Sequence, residues 1–460
     1  MVSPTRDTRT ETDSLGDIQV PSTALWGAQT QRAVDNFPIS GRGLPARFID
    51  AVVRIKHSAA RTNQALGELS EEQAAVIAAA CNDLLAGHHR DQFPVDIFQT
   101  GSGTSTNMNV NEVIAHLCRD AGVEIHPNDQ VNLGQSSNDT IPTAIHLSSV
   151  LAVTDTLIPA LEHLIITLGM RARQSHDLVK TGRTHLMDAM PVTVEQELQT
   201  WVIQLQDAST RLGRARDDLL AIPQGGTAVG SGINAHPRFA QRFAEQLAEE
   251  TGQRFRAMPH PFVAQSALDA PLNLSSALRG LAVVLMKIGN DLRWMNSGPI
   301  HGLGEVQLPA TQPGSSIMPG KVNPVICESV VMVATQVMGL DQANGIAAQS
   351  GNFQLNVMLP LVATNLLDMT EWLANSCTNL ADKAIHDMRY DAERLAEGVG
   401  RNPILVTALN PVIGYEKAAA IAKEAFASGR PVIEVAEEKT DLGRDELEKL
   451  LDPRTLTQPG

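Results

Sequence analysis

The segment GSSIMPGKVNP, residues 314–324, brings one lysine together with two serines, two glycines and two prolines. Pro319 and Pro324 each lack a backbone donor, so the segment is predicted to be a loop. A phosphate-binding loop needs two glycines five residues apart, followed by a lysine and a hydroxyl residue. Here the glycines are six apart and Val322 follows Lys321, so both spacing and chemistry argue against a nucleotide site.

Four further segments are rich in hydroxyl and amide side chains and stand beside predicted helices. Each alone is typical of turns and helix N-caps, and Ser136 or Ser137 could simply cap the helix that begins near Thr140. Together, hydroxyls, amides and helix N-termini are donors suited to binding carboxylates. The segments are TGSGTSTNMNVNE (100–112), HPNDQVNLGQSSNDT (126–140), GRTHLMD (182–188) and QGGTAVGSGIN (224–234).

Composition limits the class of protein. The chain has 460 residues, of which 43% are apolar and only 3% aromatic, a balance that suits helix packing better than a β-sandwich. Its 36 basic and 51 acidic residues give a net charge of −15, which argues against nucleic acid as a partner. An anion-binding site in such a chain must therefore be locally basic.

The cysteines and the hydropathy of the chain indicate a cytoplasmic protein. Cys81, Cys118, Cys327 and Cys377 are far apart and show no zinc-binding spacing, so reduced thiols and no metal site are expected. We find no run of 18 apolar residues and no signal-peptide pattern, so no membrane association is predicted. The polar start, residues 1–14, is predicted to be loose.

Repeating apolar positions predict long helices. One seam of leucines alternates steps of four and three residues, and a second lies in a proline-free span, roughly 45 Å of helix. Residues 328–349 are a further candidate, and 392–429 and 444–451 are helical candidates near the C-terminus. The three seams are Leu274, Leu278, Leu281, Leu285, Ile288 and Leu292; Val194, Leu198, Trp201, Leu205, Leu212 and Leu219; and Leu157, Leu161, Leu164 and Leu168.

These elements predict an all-α protein of three domains. Helices of this length overrun a compact domain of ordinary size and favour bundling with helices of the same chain and of partner chains. We expect a mainly helical N-terminal domain (1–134), a central long-helix bundle (135–390) and a small C-terminal helical domain (391–460). An oligomer built on the central bundle is expected as well.

The segment GSSIMPGKVNP is similar to the signature loop of the aspartase/fumarase superfamily of lyases. The resemblance extends from LWGAQTQR (25–32) to GYEKAAAIAKEA (414–425). His185 in GRTH, Ser137 in QSSND and Gly320 before the lysine resemble class II fumarases, where aspartases typically have Gln, Thr and Ala. HGLGE, HPND and GYEKAA are also similar to fumarase sequences. The resemblance implies a three-domain aspartase/fumarase-like fold whose long central helices form a multi-helix core in a homotetramer.

The resemblance also implies an activity, the reversible anti hydration of fumarate to L-malate in the citric acid cycle. In the malate-to-fumarate direction, removal of the C3 proton builds charge on the adjacent carboxylate, giving an aci-carboxylate intermediate. Such a site needs a base, an acid and donors aimed at the growing charge, and one such donor is typically worth about 10²–10³ in rate. In this superfamily each active site draws on three subunits, and no metal or organic cofactor is implied.

The family pattern carries roles to individual residues. The base falls on Ser315, whose alkoxide would need stabilisation by loop amides and a nearby cation. Lys321 and Asn323 would hold the reacting carboxylate, since a point charge can stabilise a spreading dianion. His185 would protonate the departing hydroxyl and would be oriented by Glu328. The remaining substrate-binding residues implied by the pattern are Ser102, Gly103, Thr104, Ser136, Ser137, Asn138, Thr184, Ser316 and Val322.

The resemblance further implies a second anion site near the active-site entrance, formed by His126, Pro127, Asn128 and Asp129. The chain departs from the family pattern around this site, because basic residues that are common in fumarases are absent. None of the departures falls on a residue with a predicted catalytic role. They are Val123, Gln130, Leu133, Gly134 and, in the helix after GRTH, Glu195.

Two other functions remain open at this point. A sister lyase such as aspartate ammonia-lyase would share the signature loop, although His185 and Ser137 favour the fumarase. A structural scaffold of the same superfamily would keep the fold without catalysis. The presence of Ser315 argues against the scaffold, because such a protein has no need of a base.

Overall fold

The computed structural model of the chain describes residues 7–458, which are mostly helical and form two compact units. The three-domain division predicted above follows the order of the chain and stays a prediction. Unit 1 comprises residues 7–159, 209–280 and 336–374, and unit 2 comprises residues 160–208, 281–335 and 375–458.

The helices match the seams seen in the sequence. The predicted helix at 328–349 is found as α11, the candidate at 392–429 as α13, α14 and α15, and the candidate at 444–451 as α17, whereas α16 lies between the two candidates and was not predicted. The helices are α1 Ala28–Asn36, α2 Ala46–Leu66, α3 Glu71–Leu85, α4 Thr104–Asp120, α5 Ser137–Ala152, α6 Ile158–Gln174, α7 Val194–Asp218, α8 Phe239–Thr251, α9 Phe262–Ser266, α10 Asp269–Met295, α11 Val325–Ala348, α12 Leu359–Leu380, α13 Ala392–Gly400, α14 Asn410–Ile413, α15 Tyr415–Ser428, α16 Val432–Lys439 and α17 Arg444–Leu450.

All sixteen residues of the three predicted seams are at most 1% exposed to solvent. The first seam lies on α10 and the second on α7, with its last residue just beyond that helix. The third begins at Leu157, the last residue of a π-helical segment, Val153–Leu157, that joins α5 to α6, and continues on α6. Side chains three and four residues apart share one face of a helix, so each seam is the buried stripe of a long helix.

Within residues 7–458 the strands are short and form four two-stranded sheets, three antiparallel and one parallel. Each sheet pairs a strand with the next one in the chain, in the order β1–β2, β3–β4, β5–β6 and β7–β8. The strands are β1 Thr8–Asp13, β2 Gly16–Pro21, β3 Val179–Thr184, β4 Met187–Thr193, β5 Ala221–Ile222, β6 Arg256–Ala257, β7 Val306–Gln307 and β8 Arg389–Tyr390.

The prediction of a loose start is wrong from Thr8 onward, where β1 pairs with β2 along its whole length. The alternating sequence TRTETD suits a strand with one half-buried face, which sequence polarity alone conceals. Arg32 of α1 donates two hydrogen bonds to the Asp13 carboxylate, at 2.9 and 3.0 Å, and so holds the end of the strand. Residues 1–6 lie outside the described residues.

In unit 1, α2 contacts α3, α5 and α8 and forms the centre of the packing. Twelve of its residues are buried, including Phe48, Ile55 and the charged Lys56. The helix ends at Gly67, which has a φ of 82° and so adopts the left-handed conformation common after a helix. The segments 100–112 and 126–140, which carry two of the hydroxyl-rich motifs, are thus attached to a well-packed helical core.

In unit 2, the hairpin β3–β4 packs against α13 and the 3₁₀ segment Pro403–Leu409. The C-terminal helices enclose a small apolar cluster that includes Leu409, Ile421, Val435 and Leu447. This cluster explains why the short helices after residue 391 are stable, since each buries one apolar face against its neighbours.

Two helical stretches, Ser137–Gln174 and Asp269–Met295, are long and apolar enough by length and composition to cross a membrane. The core helix of a folded bundle has the same composition. The apolar window of the second stretch is 56% buried inside the protein, and both stretches carry the fully buried leucines of the seams. The apolar window of the first stretch is 39% buried, so packing within the chain accounts for part of the apolarity of both stretches.

Candidate active site

Three hydroxyl groups from two helix N-termini meet in unit 1. The Oγ of Ser102 lies 2.8 Å from Oγ1 of Thr104, which lies 2.7 Å from Oγ of Ser137. Thr104 is the first residue of α4 and Ser137 the first of α5. The first turn of each helix has backbone N–H groups without an intrahelical partner. Hydroxyls and helix N-termini together make this a suitable place for a carboxylate.

The glycines of the TGSGT segment allow the backbone to approach its neighbours. A Cβ on Gly101 would lie 1.8 Å from the carbonyl oxygen of Val357. Gly103 has a φ of 72°, and a Cβ there would lie 2.9 Å from the side chain of Ile141. A side chain at either position would displace Ser102 and Thr104 from their present places.

The start of α5 combines a helix cap with a cavity wall. Ser136 is the N-cap, with its Oγ accepting from the N–H of Asn138 at 3.2 Å, so the capping role considered from the sequence is present. The side chain of Asn138 donates to the carbonyl oxygen of Ala228 at 2.8 Å. Ser136, Ser137 and Thr104 all line a cavity of about 300 Å³, whereas Ser102, Gly103 and Asn138 stand beside it.

The fourth polar segment, residues 224–234, forms another wall of this cavity through Thr227, Ala228, Ile233 and Asn234. Its attachment is through Asp139, a residue that the sequence analysis passed over. The buried carboxylate of Asp139 accepts from the N–H groups of Gly225 at 3.0 Å and Thr227 at 2.8 Å. Burial raises the pKa of Asp139, and its backbone hydrogen bonds oppose that shift.

In unit 2, Thr184 and His185 stand at the tip of the hairpin β3–β4. Thr184 pairs with Met187, so His185 and Leu186 form a two-residue turn. Their φ angles are 55° and 61°, the left-handed conformation that such turns need and that glycine or asparagine usually supplies. The predicted polar loop is therefore a tight hairpin whose histidine is exposed to solvent. A non-glycine residue in this conformation often marks a functional position.

Buried ion pairs fix the base of this hairpin. The Nζ of Lys180 lies 3.0 Å from the carboxylate of Glu197 and 2.8 Å from that of Glu305. Arg183, two residues before His185, pairs with the same Glu305 at 2.6 Å. Because Lys180 and Glu305 are almost fully buried, these contacts hold the strand that carries Thr184 and His185 in one position.

The signature loop holds the Ser315 hydroxyl among backbone donors. Its Oγ accepts from the N–H of Ile317 at 3.2 Å and from the N–H of Met318 at 3.0 Å. This is the amide environment that the sequence analysis required for a serine acting as a base. Ser315 is half-buried, whereas Ser316 next to it is exposed.

The two ends of the signature loop are tied together by short contacts. The N–H of Gly314 donates to the carbonyl oxygen of Lys321 at 2.8 Å, and Asn323 donates through Nδ2 to the carbonyl oxygen of Gly314 at 2.7 Å. A Cβ on Gly314 would lie 2.4 Å from that Lys321 oxygen, and Gly320 has a φ of 83°. Both glycines are therefore required by the closed geometry of the loop, at Gly314 by close approach and at Gly320 by conformation.

Lys321, Val322, Asn323 and Glu328 line one cavity in unit 2, of about 860 Å³, and Ser315 and Ser316 stand outside its lining. Glu328 is in the first turn of α11. Among the hydrogen bonds and ion pairs of residues 7–458, none joins His185 to Glu328 or to Ser315. Among the described residues, one chain thus brings Lys321, Val322, Asn323 and Glu328 to a common cavity, and no hydrogen bond or ion pair joins His185 to Glu328 or Ser315.

His126, Pro127 and Asn128, three residues of the predicted second anion site, line another cavity in unit 1, of about 390 Å³. The fourth, Asp129, instead faces His126, with its N–H donating to the His126 Nδ1 at 3.2 Å. Arg9, His116 and Arg119 line the same cavity, so basic side chains are present despite Val123. Sequence reasoning missed these residues because they come from other elements.

Known proteins resemble this chain over nearly its full length. Residues 16–339 match the family described as Lyase, and residues 405–458 match the family described as Fumarase C C-terminus. The chain is 55% identical to fumarate hydratase class II 2 of Pseudomonas aeruginosa, with 99% of each protein covered. It is 56% identical to fumarate hydratase class II of Xylella fastidiosa, over 98% of this chain and 96% of the relative.

The chain belongs to the class II fumarate hydratases.

Solved structures confirm the fold expected for a class II fumarate hydratase. A class II fumarase from Schistosoma mansoni superposes with a TM-score of 0.96 at 38% identity, covering 98% of this chain and 99% of that one. A fumarate lyase:delta crystallin from Brucella melitensis gives 0.94 at 42% identity, over 98% and 100%. The all-α aspartase/fumarase-like architecture predicted from the sequence is confirmed.

Two sets of residues that support the site of this class II fumarate hydratase were missed by sequence reasoning. One consists of Asp139 and Lys56, whose buried charges interact without a direct hydrogen bond, and the other is the ion-pair group around Glu305. Both contain buried charges, and in the sequence such residues look like ordinary surface charges. The burial of Lys180 could have been suspected from the sequence, because this lysine directly follows the apolar residues Leu178 and Val179 at the start of LVKTGRT.

Proposed function

We propose that this chain catalyses the reversible hydration of fumarate to L-malate. The observation that carries the proposal is the position of the Ser315 oxygen, which accepts from the N–H groups of Ile317 and Met318. These two donors would stabilise an alkoxide, and an alkoxide is the form in which serine can remove a weakly acidic proton. The lysine of the same loop supplies a cation close in sequence.

In the malate-to-fumarate direction, Ser315 takes the C3 proton of malate. The electron pair of the broken C–H bond moves towards the adjacent carboxylate, which becomes an aci-carboxylate dianion. Lys321 and Asn323 would bind that carboxylate, because both line the cavity next to the loop. Their interaction strengthens as the charge grows, so it lowers the barrier more than it tightens substrate binding.

In the second step the electron pair returns to form the C2–C3 double bond, and the C2–O bond breaks. His185, with Thr184 beside it, would protonate the departing hydroxyl so that it leaves as water. Glu328 would orient this histidine. Because no hydrogen bond joins His185 to Glu328 among residues 7–458, we infer that the two meet between chains.

We infer a homotetramer with active sites shared between subunits. Leu186 and Met187, beside His185, are 67% and 70% exposed, which is unusual for large apolar side chains at a hairpin tip. Exposed apolar residues also occur on the long helices, among them Ile203, Val283 and Met332. A bundle of helices from several chains would cover these surfaces. It would also bring a hairpin tip of one chain to the signature loop of another.

The hydroxyl cluster of unit 1 would bind a substrate carboxylate. Ser102, Gly103, Thr104, Ser136, Ser137 and Asn138 come together around two helix N-termini. Ser316 and Val322, which are exposed in one chain, would join the pocket from the signature loop. A second anion site at His126 to Asp129 is proposed as well, with Arg119 lining the same cavity.

We place the activity in the cytoplasm and in the citric acid cycle. Four buried cysteines without a disulfide are consistent with a reducing compartment. Fumarate and L-malate are the partners that the site chemistry calls for, and an acidic chain gives no reason to expect nucleic acid.

The deciding experiment incubates the purified protein with L-malate and, separately, with L-aspartate, and follows the ultraviolet absorbance of fumarate. We expect fumarate from malate and none from aspartate. Fumarate from aspartate alone would identify a sister lyase, and no product from either substrate would favour a scaffold. Light scattering on the same sample should give the mass of four chains.

A further inference from the structure

Lys56 stands in the middle of α2 with its side chain fully buried. It is the only lysine in the first 179 residues of the chain, where arginine is used at every other basic position apart from histidine. Burying an ammonium group removes it from water at considerable cost, so buried lysines are uncommon and usually serve a purpose. No catalytic role suggested by the sequence falls on this residue.

The ammonium group donates to two amide oxygens of the short segment that immediately precedes α5. Its Nζ lies 2.9 Å from Oδ1 of Asn132 and 3.0 Å from Oε1 of Gln135. Both Asn132 and Gln135 line the 300 Å³ cavity beside the hydroxyl cluster, which Lys56 itself does not reach. Lys56 thus acts on the cavity through these two side chains.

Asn132 transmits the effect of the lysine to α4. Its Oδ1 also accepts from Nδ2 of Asn107 at 3.2 Å and from Nδ2 of Asn111 at 3.3 Å. Donors from three residues therefore converge on one oxygen, which fixes the orientation of the Asn132 amide. Asn107 lines the cavity as well, so one buried lysine sets the direction of several amide groups in its wall.

The charge of Lys56 is poorly compensated within the described chain. Its two hydrogen-bond partners are neutral amides, and burial lowers the pKa of Lys56 to about 7, although the nearby Asp139 opposes this shift. A neutral donor would orient the same amides at lower cost. A carboxylate in the cavity would supply the missing negative charge through a medium of low dielectric, where the attraction is strong.

The 300 Å³ cavity lined by Thr104, Ser136 and Ser137 is called the hydroxyl pocket below. We propose that Lys56 is a positioning residue whose buried charge gives the hydroxyl pocket its preference for a doubly charged dicarboxylate. The inference rests on the proposed function in one respect, namely that this pocket binds a substrate carboxylate. It adds an origin for the charge selectivity of the pocket, which hydroxyls and neutral amides alone do not provide.

The test compares two probes of nearly equal shape, succinate with two carboxylates and succinamate with one carboxylate and one amide. Calorimetric titration measures their dissociation constants for the wild-type oligomer, Lys56→Met and Lys56→Gln. The methionine removes charge and donor together, whereas the glutamine removes the charge and keeps a donor. Lys423→Met, at an exposed position of α15, is the matched control for loss of a positive charge.

We expect both Lys56 variants to weaken succinate binding about tenfold and succinamate binding only about threefold, because the lost attraction scales with ligand charge and half of the free energy gives the square root of the ratio. The control should bind both probes as the wild type does. Equal weakening of both probes would show a merely structural role and would overturn the proposal, as would a Lys56→Gln variant that binds like the wild type. Lys56→Gln carries the test if Lys56→Met fails to fold.

Failure of the proposed function has a different signature. A wild-type protein that produces no fumarate from malate, yet prefers succinate in a manner that depends on Lys56, would leave this inference standing and remove the hydratase activity. A wild-type protein that hydrates fumarate but shows no preference for succinate over succinamate would do the opposite.

Discussion

The two parts of the candidate site are built in contrasting ways. In unit 1 the hydroxyls of Thr104 and Ser137 stand at the ends of buried helices and are bonded to each other. In unit 2 His185 is exposed at a hairpin tip, and Ser315 lies in a loop bonded mainly to itself. The difference indicates that packing of the helical core fixes the positions of the proposed binding hydroxyls, whereas local backbone geometry holds the proposed reacting groups, His185 and Ser315.

The contrast has a physical reason. Carboxylate binding needs donors fixed before the ligand arrives, and donors at helix ends keep their positions without reorganisation. Proton transfer needs groups that approach the substrate from opposite faces, and such groups cannot all belong to one helix packing. Loops and hairpin tips can extend towards another chain. In a single chain this leaves apolar residues such as Leu186 and Met187 exposed to solvent.

The largest expected effect is a loss of turnover when the proposed base in the signature loop is removed. Ser315→Ala removes the proposed base and should lower kcat on malate by about 10³-fold or more, because the amide-stabilised alkoxide has no substitute in the loop. Since the hydrogen bonds of the Ser315 oxygen within residues 7–458 come from amides of its own loop, thermal unfolding and the oligomer mass should stay unchanged. Steady-state kinetics and light scattering check both statements.

The matched control is Ser428→Ala, at an exposed serine of α15 whose Oγ bonds a carbonyl of its own helix. It should leave kcat unchanged. A Ser315→Ala enzyme with more than about a tenth of wild-type turnover would exclude this serine as the base, since a positioned base contributes at least about 10²-fold.

The next effect tests unit 1 and should appear in stability. In Asp139→Asn the amide nitrogen must face backbone N–H groups that now donate to the carboxylate, those of Ser136, Gly225 or Thr227. One or two buried donors lose their acceptor, which costs about 1–3 kcal/mol each. Urea unfolding should show a loss of about 3 kcal/mol, followed by weaker succinate binding as the cavity wall loosens.

Asp35→Asn, at an exposed aspartate of α1, provides the control and should change stability by less than about 0.5 kcal/mol. An Asp139→Asn protein as stable as the wild type would contradict the view that unit 1 is fixed by its core. The two variants together then separate the regions, with Ser315→Ala losing rate at full stability and Asp139→Asn losing stability.

Sequence reasoning succeeded where a pattern has one physical solution. The seam from Leu274 to Leu292 alternates at helical spacing over nineteen residues, and only a long helix buries all of it on one face. The signature loop was equally readable, since Pro319 and Pro324 exclude regular structure there. The residues with predicted roles were found through the family resemblance, and their environments needed the structure.

Sequence reasoning failed where the role of a residue depends on distant parts of the chain. Lys56 and Asn132 are 76 residues apart, and Arg183 and Glu305 are 122 apart, so no local pattern joins them. The turn at His185 was hidden for another reason. Tight hairpin turns are usually marked by glycine or asparagine, and here a histidine and a leucine adopt the same backbone.

The smallest effect concerns the charge beneath the hydroxyl pocket. Folded Lys56 has a pKa of about 7, whereas an unfolded lysine has one near about 10.4. Between these values the unfolded chain holds more protons than the folded one, so stability rises with pH. From pH 7 to pH 9 the free energy of unfolding of the wild type should therefore gain about 2 kcal/mol relative to Lys56→Met.

Urea unfolding of both proteins at fixed concentration and at several values of pH measures this difference, because titrations shared by the two proteins cancel. Parallel curves would mean that Lys56 keeps its charge to high pH and that its burial is compensated within the chain. If the charge serves a bound dicarboxylate, saturating succinate should raise the pKa of Lys56 and move the rise to higher pH. The same titration thus shows whether the charge of Lys56 is compensated within the core of unit 1 or only when a dicarboxylate is bound.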